Sequence, residues 1–193
     1  MKNLFIVILA LILLGCNGGF LPKPKGYPRI DLPKKDFLKF DNLCPFSFEY
    51  PSYSFVFPHK GKNTMPCWLN IDFPIFKGTI HISYLPIANE TSLKKFSEDA
   101  RSLAYKHTIK AQSIDERVFD RDNQKVYGRI YDIKGKNTAS SMQFYLTDSI
   151  NHFLRGALYF NVAPKNDSLL PVTNFIREDI EHLINTFQWN RKQ

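Results

Sequence analysis

The sequence is poor in the features that mark most enzymes. Its 193 residues include only nine glycines, and none forms the G-x-G-x-x-G loop that would cradle a phosphate. There is no G-x-S-x-G elbow for acyl transfer and no H-E-x-x-H pair for zinc. The histidines His59, His81, His107, His152 and His182 are scattered, with no close pair among them. Asp120-Arg121-Asp122-Asn123-Gln124 opens like a calcium loop. Its sixth place, however, is Lys125 rather than glycine, and its twelfth is Tyr131 rather than a carboxylate, so it reads as a hairpin turn. The acidic pair Glu98-Asp99 falls on a predicted helix, where neighbours do not share a face. No catalytic residue, metal or cofactor is therefore assigned. An enzyme would need scattered residues such as His81, His152 and Asp72 to converge in one cleft.

Long apolar runs are also missing. The longest opens the chain, from Leu4 to Leu14, behind the positive charge of Lys2. It is too short for a transmembrane helix, which needs about 20 residues, and it fits the core of a signal peptide. It ends Leu13-Leu14-Gly15-Cys16, which resembles a bacterial lipobox with the cysteine as lipid acceptor. Leu14 is bulkier than the residue usual at its place. The competing reading is an ordinary secretory peptide cleaved near Gly15. The expectation is a signal peptide over residues 1–15 and a lipidated Cys16.

Cysteine is scarce: three in all. With Cys16 acylated, Cys44 and Cys67 remain. Outside the cytoplasm an even pair reads most simply as one disulfide. Two buried thiols or a redox pair are the alternatives, the latter disfavoured because the spacing is far from C-x-x-C. Acidic residues are outnumbered, 18 against 26 Lys and Arg, for a formal charge of +8. Nucleic acid is one partner for a basic chain. Export removes it, leaving headgroups, wall polymers or acidic protein surfaces.

After Cys16 the composition changes. Pro22, Pro24, Pro28 and Pro33 break any helix, and Lys23, Lys25, Arg29, Lys34, Lys35 and Lys39 make the segment basic. Residues 16–41 are expected as a tether, either a solvated spacer or a strip lying on anionic headgroups. Residues 42–193 have the size of one domain, and 17 Phe, 9 Tyr and 2 Trp in the whole chain supply a full core. Period-two patterns predict strands at Phe46 to Tyr50, Tyr53 to Phe57, Trp68 to Phe73, Thr79 to Leu85 and Ser113 to Phe119. A meander follows over Lys125 to Ile133, Ala139 to Leu146 and His152 to Val162. The apolar stripe Leu93, Phe96, Ala100, Leu103 and His107 predicts a helix from Thr91 to about Ile109, capped by Thr91 or Ser92. A second stripe, Ile176, Ile180, Leu183 and Phe187, predicts a helix from Thr173 to about Trp189, with Arg191 and Lys192 at its positive-favouring end. The class is α+β: a mainly antiparallel sheet flanked by two amphipathic helices. With Phe46-Ser47-Phe48-Glu49-Tyr50-Pro51 near its start and Ile184-Asn185-Thr186-Phe187 near its end, it resembles the Mog1/PsbP-like α/β/α sandwich.

Three stretches resemble a particular family. They are Pro22-Lys23-Pro24-Lys25-Gly26-Tyr27-Pro28-Arg29-Ile30-Asp31-Leu32-Pro33, Cys44-Pro45-Phe46-Ser47-Phe48-Glu49-Tyr50-Pro51 and Cys67-Trp68-Leu69-Asn70-Ile71-Asp72-Phe73-Pro74. The chain is similar to the GldD gliding motility lipoproteins of Bacteroidetes. The resemblance implies a non-enzymatic component of the gliding apparatus, linked to type IX secretion, with other gliding lipoproteins as partners at the outer membrane. Asn17 is followed by no acidic run of the kind surface-exported lipoproteins carry, which favours a domain facing the periplasm. Asp148-Ser149-Ile150 and Asp167-Ser168-Leu169 resemble the O-glycosylation sequon of that phylum, making Ser149 and Ser168 acceptors; both also read as ordinary turns. The rival function, drawn from the aromatic content and charge alone, is a periplasmic binding module for a small ligand, lipid or cell-wall glycan, for which a closed apolar pocket is expected.

Overall fold

The computed structural model describes residues 30–106, 111–135, 140–161 and 166–190. Two antiparallel sheets and two helices account for most of them. The small sheet has the order β1-β2-β10, from β1 (Phe37–Asp41), β2 (Phe46–Pro51) and β10 (Gln188–Trp189). The large sheet has the order β3-β4-β5-β9-β8-β7-β6. Its strands are β3 (Phe55–Pro58), β4 (Leu69–Phe73), β5 (Gly78–Pro86), β6 (Ser113–Arg121), β7 (Val126–Lys134), β8 (Ser140–Thr147) and β9 (His152–Phe160). Helix α1 (Glu90–Tyr105) lies on one face of the large sheet, and helix α2 (Asn166–Thr186) lies with the small sheet on the other. The α+β architecture with a mainly antiparallel sheet and two flanking helices is thus the one expected from the periodicities.

Alternation along the strands sorts side chains to the two faces. Ile71, Ile80, Leu158 and Met142 sit in register across four strands and point inward, where Phe46 and Phe48 of β2 and Ile176, Ile180, Leu183 and Phe187 of α2 meet them. All are essentially removed from solvent. At about 1.5–3 kcal/mol per fully buried large apolar side chain, this cluster dominates stability. Gly156 has a packing reason: a Cβ there would lie 2.2 Å from the Phe144 ring, which crosses the strand at that point. A smaller cluster holds α1 down, with Ala100 and Ala104 against Tyr131, Tyr145 and Phe153.

Four details differ from the sequence-based expectation. First, the distal part of the expected tether is built into the domain. Phe37–Asp41 pairs with β2, so the linker ends before residue 37. Second, α1 is capped by Asn89, whose side chain accepts from the Ser92 N–H, rather than by Thr91 or Ser92. Leu103 is exposed and Ala104 is buried in its place; His107, and with it the expected end near Ile109, lies outside the described residues. Third, α2 begins upstream of Pro171 and ends at Thr186. Its last carbonyls, those of Ile184 and Asn185 together with Phe187 just beyond, accept from the Arg121 guanidinium of β6, so these acceptors are satisfied without further helix. Fourth, the chain then turns, and Gln188 and Trp189 pair with Ser47 and Phe46 as a strand. Arg191 and Lys192 lie outside the described residues.

Lys35 fastens the segment before β1 to α2. Its ammonium donates to Asp179 Oδ1 at 2.5 Å and to the Phe175 carbonyl at 2.7 Å, and sits 3.5 Å from the centre of the Phe175 ring. Tyr53 donates to the other Asp179 oxygen at 2.7 Å. Asp179 is only 1% exposed. Burial raises its carboxyl above the ordinary value, by more than the Lys35 and Tyr53 contacts lower it. Burial, with the Asp179 contact next, likewise raises the Tyr53 phenol. Removing Lys35 strands a buried carboxylate, which typically costs about 3 kcal/mol or more. Lys35→Met is therefore expected to lower the urea midpoint at pH 7 by the equivalent of about 3 kcal/mol. Because the folded Asp179 holds its proton more tightly than the unfolded chain does, its contribution is full below the ordinary aspartate range and is lost as pH rises through the raised value. Asp179→Asn should flatten that pH dependence; a midpoint unmoved by Lys35→Met would show that the latch carries nothing.

Candidate functional site

Four segments distant in sequence meet at one end of the large sheet and leave a cleft between them. They are the end of β5, the β6–β7 turn, the β8–β9 turn and the C-terminal strand β10. The cleft is open to solvent and encloses about 970 Å³. Its aromatic wall is a stack. The His152 ring lies 5.1 Å from Trp189 and nearly parallel to it, and Trp189 meets Phe187 edge-on at 4.6 Å. The Tyr84 hydroxyl is 2.8 Å from His152 Nδ1, and the Tyr84 carbonyl accepts from the Trp68 indole at 2.9 Å. Burial, and then the nearby Asp148 charge, raise the Tyr84 phenol.

Beside the aromatic wall the lining is polar. Asp148 Oδ1 accepts the backbone N–H groups of Ile150, Asn151 and His152, closing the β8–β9 turn. Burial pushes the Asp148 carboxyl up, but these three donors together with the His152 charge outweigh it and hold it below the ordinary value. Within this turn Ser149 takes the left-handed conformation, φ 66°, and is exposed. In the β6–β7 turn Asp122–Gln124 forms one turn of 3-10 helix and Lys125 follows with φ 52°. The resemblance to a calcium loop ends there, as a hairpin connection. Among the described residues no group of three or more His, Cys, Asp or Glu side chains is placed to hold a metal ion.

A second polar cluster lies on the α1 face of the large sheet. Asn70 Oδ1 is 2.8 Å from His81 Nδ1 and 3.4 Å from His59 Nδ1. Burial, then the charges of His59 and Arg155, lower the affinity of His81 for a proton. Arg155 donates to Gln143 Oε1 at 2.7 Å, and Thr79 donates to Asp72 at 2.8 Å. His81 and Asp72 therefore share a face. His152 does not join them: it pairs with Pro86, five residues along β5 from His81, and an odd offset puts it on the other face. The constellation of His81, His152 and Asp72 is not assembled. His182, on α2, is elsewhere again, 2.6 Å from Glu49 of β2.

The other sequence-derived sites fall as follows. Cys44 and Cys67 are joined by a disulfide, Cα to Cα 5.6 Å, which ties the β1–β2 loop to the β3–β4 loop. Cys16 lies outside the described residues. Ser168 falls in the first turn of α2, and its side chain lies outside the described residues. The cleft itself was not legible in the sequence. Its walls come from positions between 84 and 190, and the pairing of β10 with β2 brings the C-terminus to it.

Comparison with known proteins adds two findings. A family model described as gliding motility lipoprotein GldD matches residues 17–189. Among solved structures the fold is similar to that of cyanobacterial PsbP (CyanoP) from Synechocystis sp., with a TM-score of 0.50 at 11% identity, covering 84% of this chain and 97% of that one. Identity that low shows the fold alone, and the fold is the PsbP-like one. No curated protein sequence matches the chain.

Trp189 closes the cleft wall and caps the end of the core. Trp189→Ala is expected to cost about 2–3 kcal/mol, below the roughly 3–5 kcal/mol of a fully buried large aromatic because the ring is half-buried. Chemical denaturation monitored by circular dichroism reads it. A loss below about 0.5 kcal/mol, the level of an ordinary surface substitution, would show that the stack is not part of the packed structure.

Proposed function

The chain belongs to the gliding motility lipoprotein GldD family, and from that membership we propose that it is a non-enzymatic component of the gliding apparatus, acting through protein contacts that support assembly or stability of the gliding and type IX secretion machinery. The family match across residues 17–189 is the observation that carries this reading. Membership in a lipoprotein family implies a membrane anchor. In our reading Cys16 carries the lipid, the membrane is the outer one, and the domain faces the periplasm. Other gliding lipoproteins and secretion components are the partners. The open cleft between β10 and the β8–β9 turn offers them a surface with aromatic and polar walls. An open cleft of mixed lining suits a segment of another protein better than a small molecule, which is held in a largely closed apolar pocket. His81, His152 and Asp72, divided between two faces, give the enzymatic alternative no support.

A photoreactive amino acid at the exposed Gln188, on the cleft rim, is expected to crosslink in living cells to another lipoprotein of the gliding machinery or to a secretion component. Deletion of the chain is expected to stop gliding and impair secretion. No crosslinked protein, together with normal motility and secretion in the deletion strain, would remove the proposal.

The anchor has its own test. Peptide mass mapping of the chain extracted from membranes should find acyl groups on Cys16 and glycan on Ser149 and Ser168. Cys16→Ala should abolish acylation and release the chain from the membrane fraction. Unchanged fractionation would refute Cys16 as the anchor.

A further inference from the structure

The disulfide joins two loops that stand out from the end of the domain opposite to where the chain enters β1. One is the β1–β2 loop, residues 42–45, and the other the β3–β4 loop, residues 59–68. Both carry apolar residues at solvent-facing positions. Leu43 is fully exposed, at 100%, and Met65 is 42% exposed. The loop of Met65 also carries the exposed Lys60 and Lys62. From Asn42 to Phe48 and from Pro58 to Ile71 the sequence contains no acidic residue. The flanking acids each have a partner. Asp41 accepts from Lys39 at 2.7 Å, and Asp72 accepts from Thr79 on the sheet face.

These loops are braced as well as exposed. The Leu43 N–H donates to the Asn42 side chain at 2.8 Å. In the longer loop the His59 N–H donates to the Trp68 carbonyl at 2.8 Å, the Trp68 N–H to the Met65 carbonyl at 3.2 Å, and the Thr64 hydroxyl to the Gly61 carbonyl at 2.9 Å. Cys67 takes the left-handed conformation, φ 61°, and turns the chain back toward Cys44. An isolated exposed leucine needs no explanation. Here a covalent bond joins the two loops that carry the apolar tips, and both loops lie in stretches without an acidic residue, the longer one with two lysines. That combination matches the boundary between headgroups and acyl chains, where apolar side chains enter and cations pair with anionic lipid.

Reach is sufficient. Between Cys16 and Ile30 the chain spans at most about 45 Å, and the stretch from Lys35 through β1 to Leu43 covers about 25 Å. A lipid on Cys16 therefore leaves enough chain for the domain to lie with the disulfide end against the same bilayer. We infer that the two loops joined by Cys44–Cys67, with Leu43 and Met65 at their tips and Lys60 and Lys62 beside them, rest on the anionic phospholipid surface of the membrane that holds the anchor. This inference rests on the anchor proposed above. It gives the domain a fixed orientation and makes the disulfide the element that keeps the two tips in one plane.

The test uses the mature lipidated chain purified from membranes and reconstituted in two kinds of vesicle, phosphatidylethanolamine with phosphatidylglycerol, and neutral phosphatidylcholine. Hydrogen exchange is read on the amides of residues 59–65. Exchange there should be roughly 25-fold slower on anionic than on neutral vesicles, since each of the two lysines near an anionic surface is worth roughly fivefold in local binding. Combining Leu43→Ser with Lys60→Glu and Lys62→Glu should abolish the difference. All three positions are exposed, so an unchanged urea midpoint verifies that the fold is intact. Equal exchange on both vesicles overturns the inference. So does protection found in native membranes but not on lipid alone, which assigns the loops to a protein partner. Flotation of the same samples reads the anchor: a chain that floats without loop protection refutes the loop contact alone, and a chain that does not float refutes both.

Discussion

The domain depends on the packing of β2 beside α2 over the inner face of the large sheet. Phe46 and Phe48 are excluded from solvent and touch almost every other part of the inner core. Phe46 lies 5.8 Å from both Phe187 and Tyr84, and Phe48 stacks on Phe40 at 4.9 Å. Through these two rings β2 gathers the first strand, the last helix and the terminal strand. Its polar groups do the same. The Glu49 N–H donates to Thr186, the Ser47 hydroxyl to Asn190, and the Asn190 N–H to the Pro45 carbonyl. Most of these contacts join positions about 140 residues apart, so the loop-closure entropy they cost is offset only when the apolar burial is complete. A defect in Phe46 or Phe48 would thus reach the cleft, the disulfide loop and the N-terminal latch together.

Elements whose pattern is local could be read from the sequence, and elements made by distant contacts could not. The meander β7–β8–β9 and the strand β5 show period two with β-branched and aromatic residues, and they appear where expected. The stripe Ile176, Ile180, Leu183 and Phe187 locates the body of α2 correctly but misplaces its end. Nothing near Thr186 stops a helix. Arg121, more than 60 residues upstream, takes the carbonyls that a continuing helix would use. The strand at Phe37–Asp41 was hidden by its surroundings. Lysines and prolines dominate that segment, so composition reads as a linker, and only the partner strand β2 makes it a strand. The turns show the same limit. Two connections, Pro74–Phe76 and Asp122–Gln124, are single 3-10 turns closed by a left-handed lysine, Lys77 and Lys125. Glycine or asparagine is the usual resident of that conformation, and here neither signals it.

The N-terminal latch and the terminal strand frame the domain from opposite ends. Lys35 enters beside α2 at Phe175 and Asp179, while Trp189 leaves beside Phe46 and His152. Because β1 and β2 are antiparallel, the end of β1 that faces the linker is the end far from β10. The cleft and the disulfide loops therefore share one end of the molecule, and the linker attaches at the other. A pull on the linker acts first on the Lys35–Asp179 contact and on the β1–β2 ladder, before it reaches the aromatic stack that shapes the cleft.

The arrangement of the histidines shows why counting residues in a sequence is a weak guide to chemistry on a sheet. His81 and His152 lie on neighbouring strands and look close in the fold. Yet the register pairs His81 with Ala157 and His152 with Pro86. Five steps along a strand is an odd number, so the two rings leave opposite faces of the sheet, one toward Asn70 and His59 and the other toward Tyr84 and Trp189. Even to share a face they would require a one-residue slip of β9 against β5, and such a slip would also turn Leu154 and Leu158 out of the core. The burial of those two leucines thus fixes the separation of the histidines. What each ring does is local: His81 anchors a hydrogen-bonded row on the outer face, and His152 forms one side of an aromatic wall.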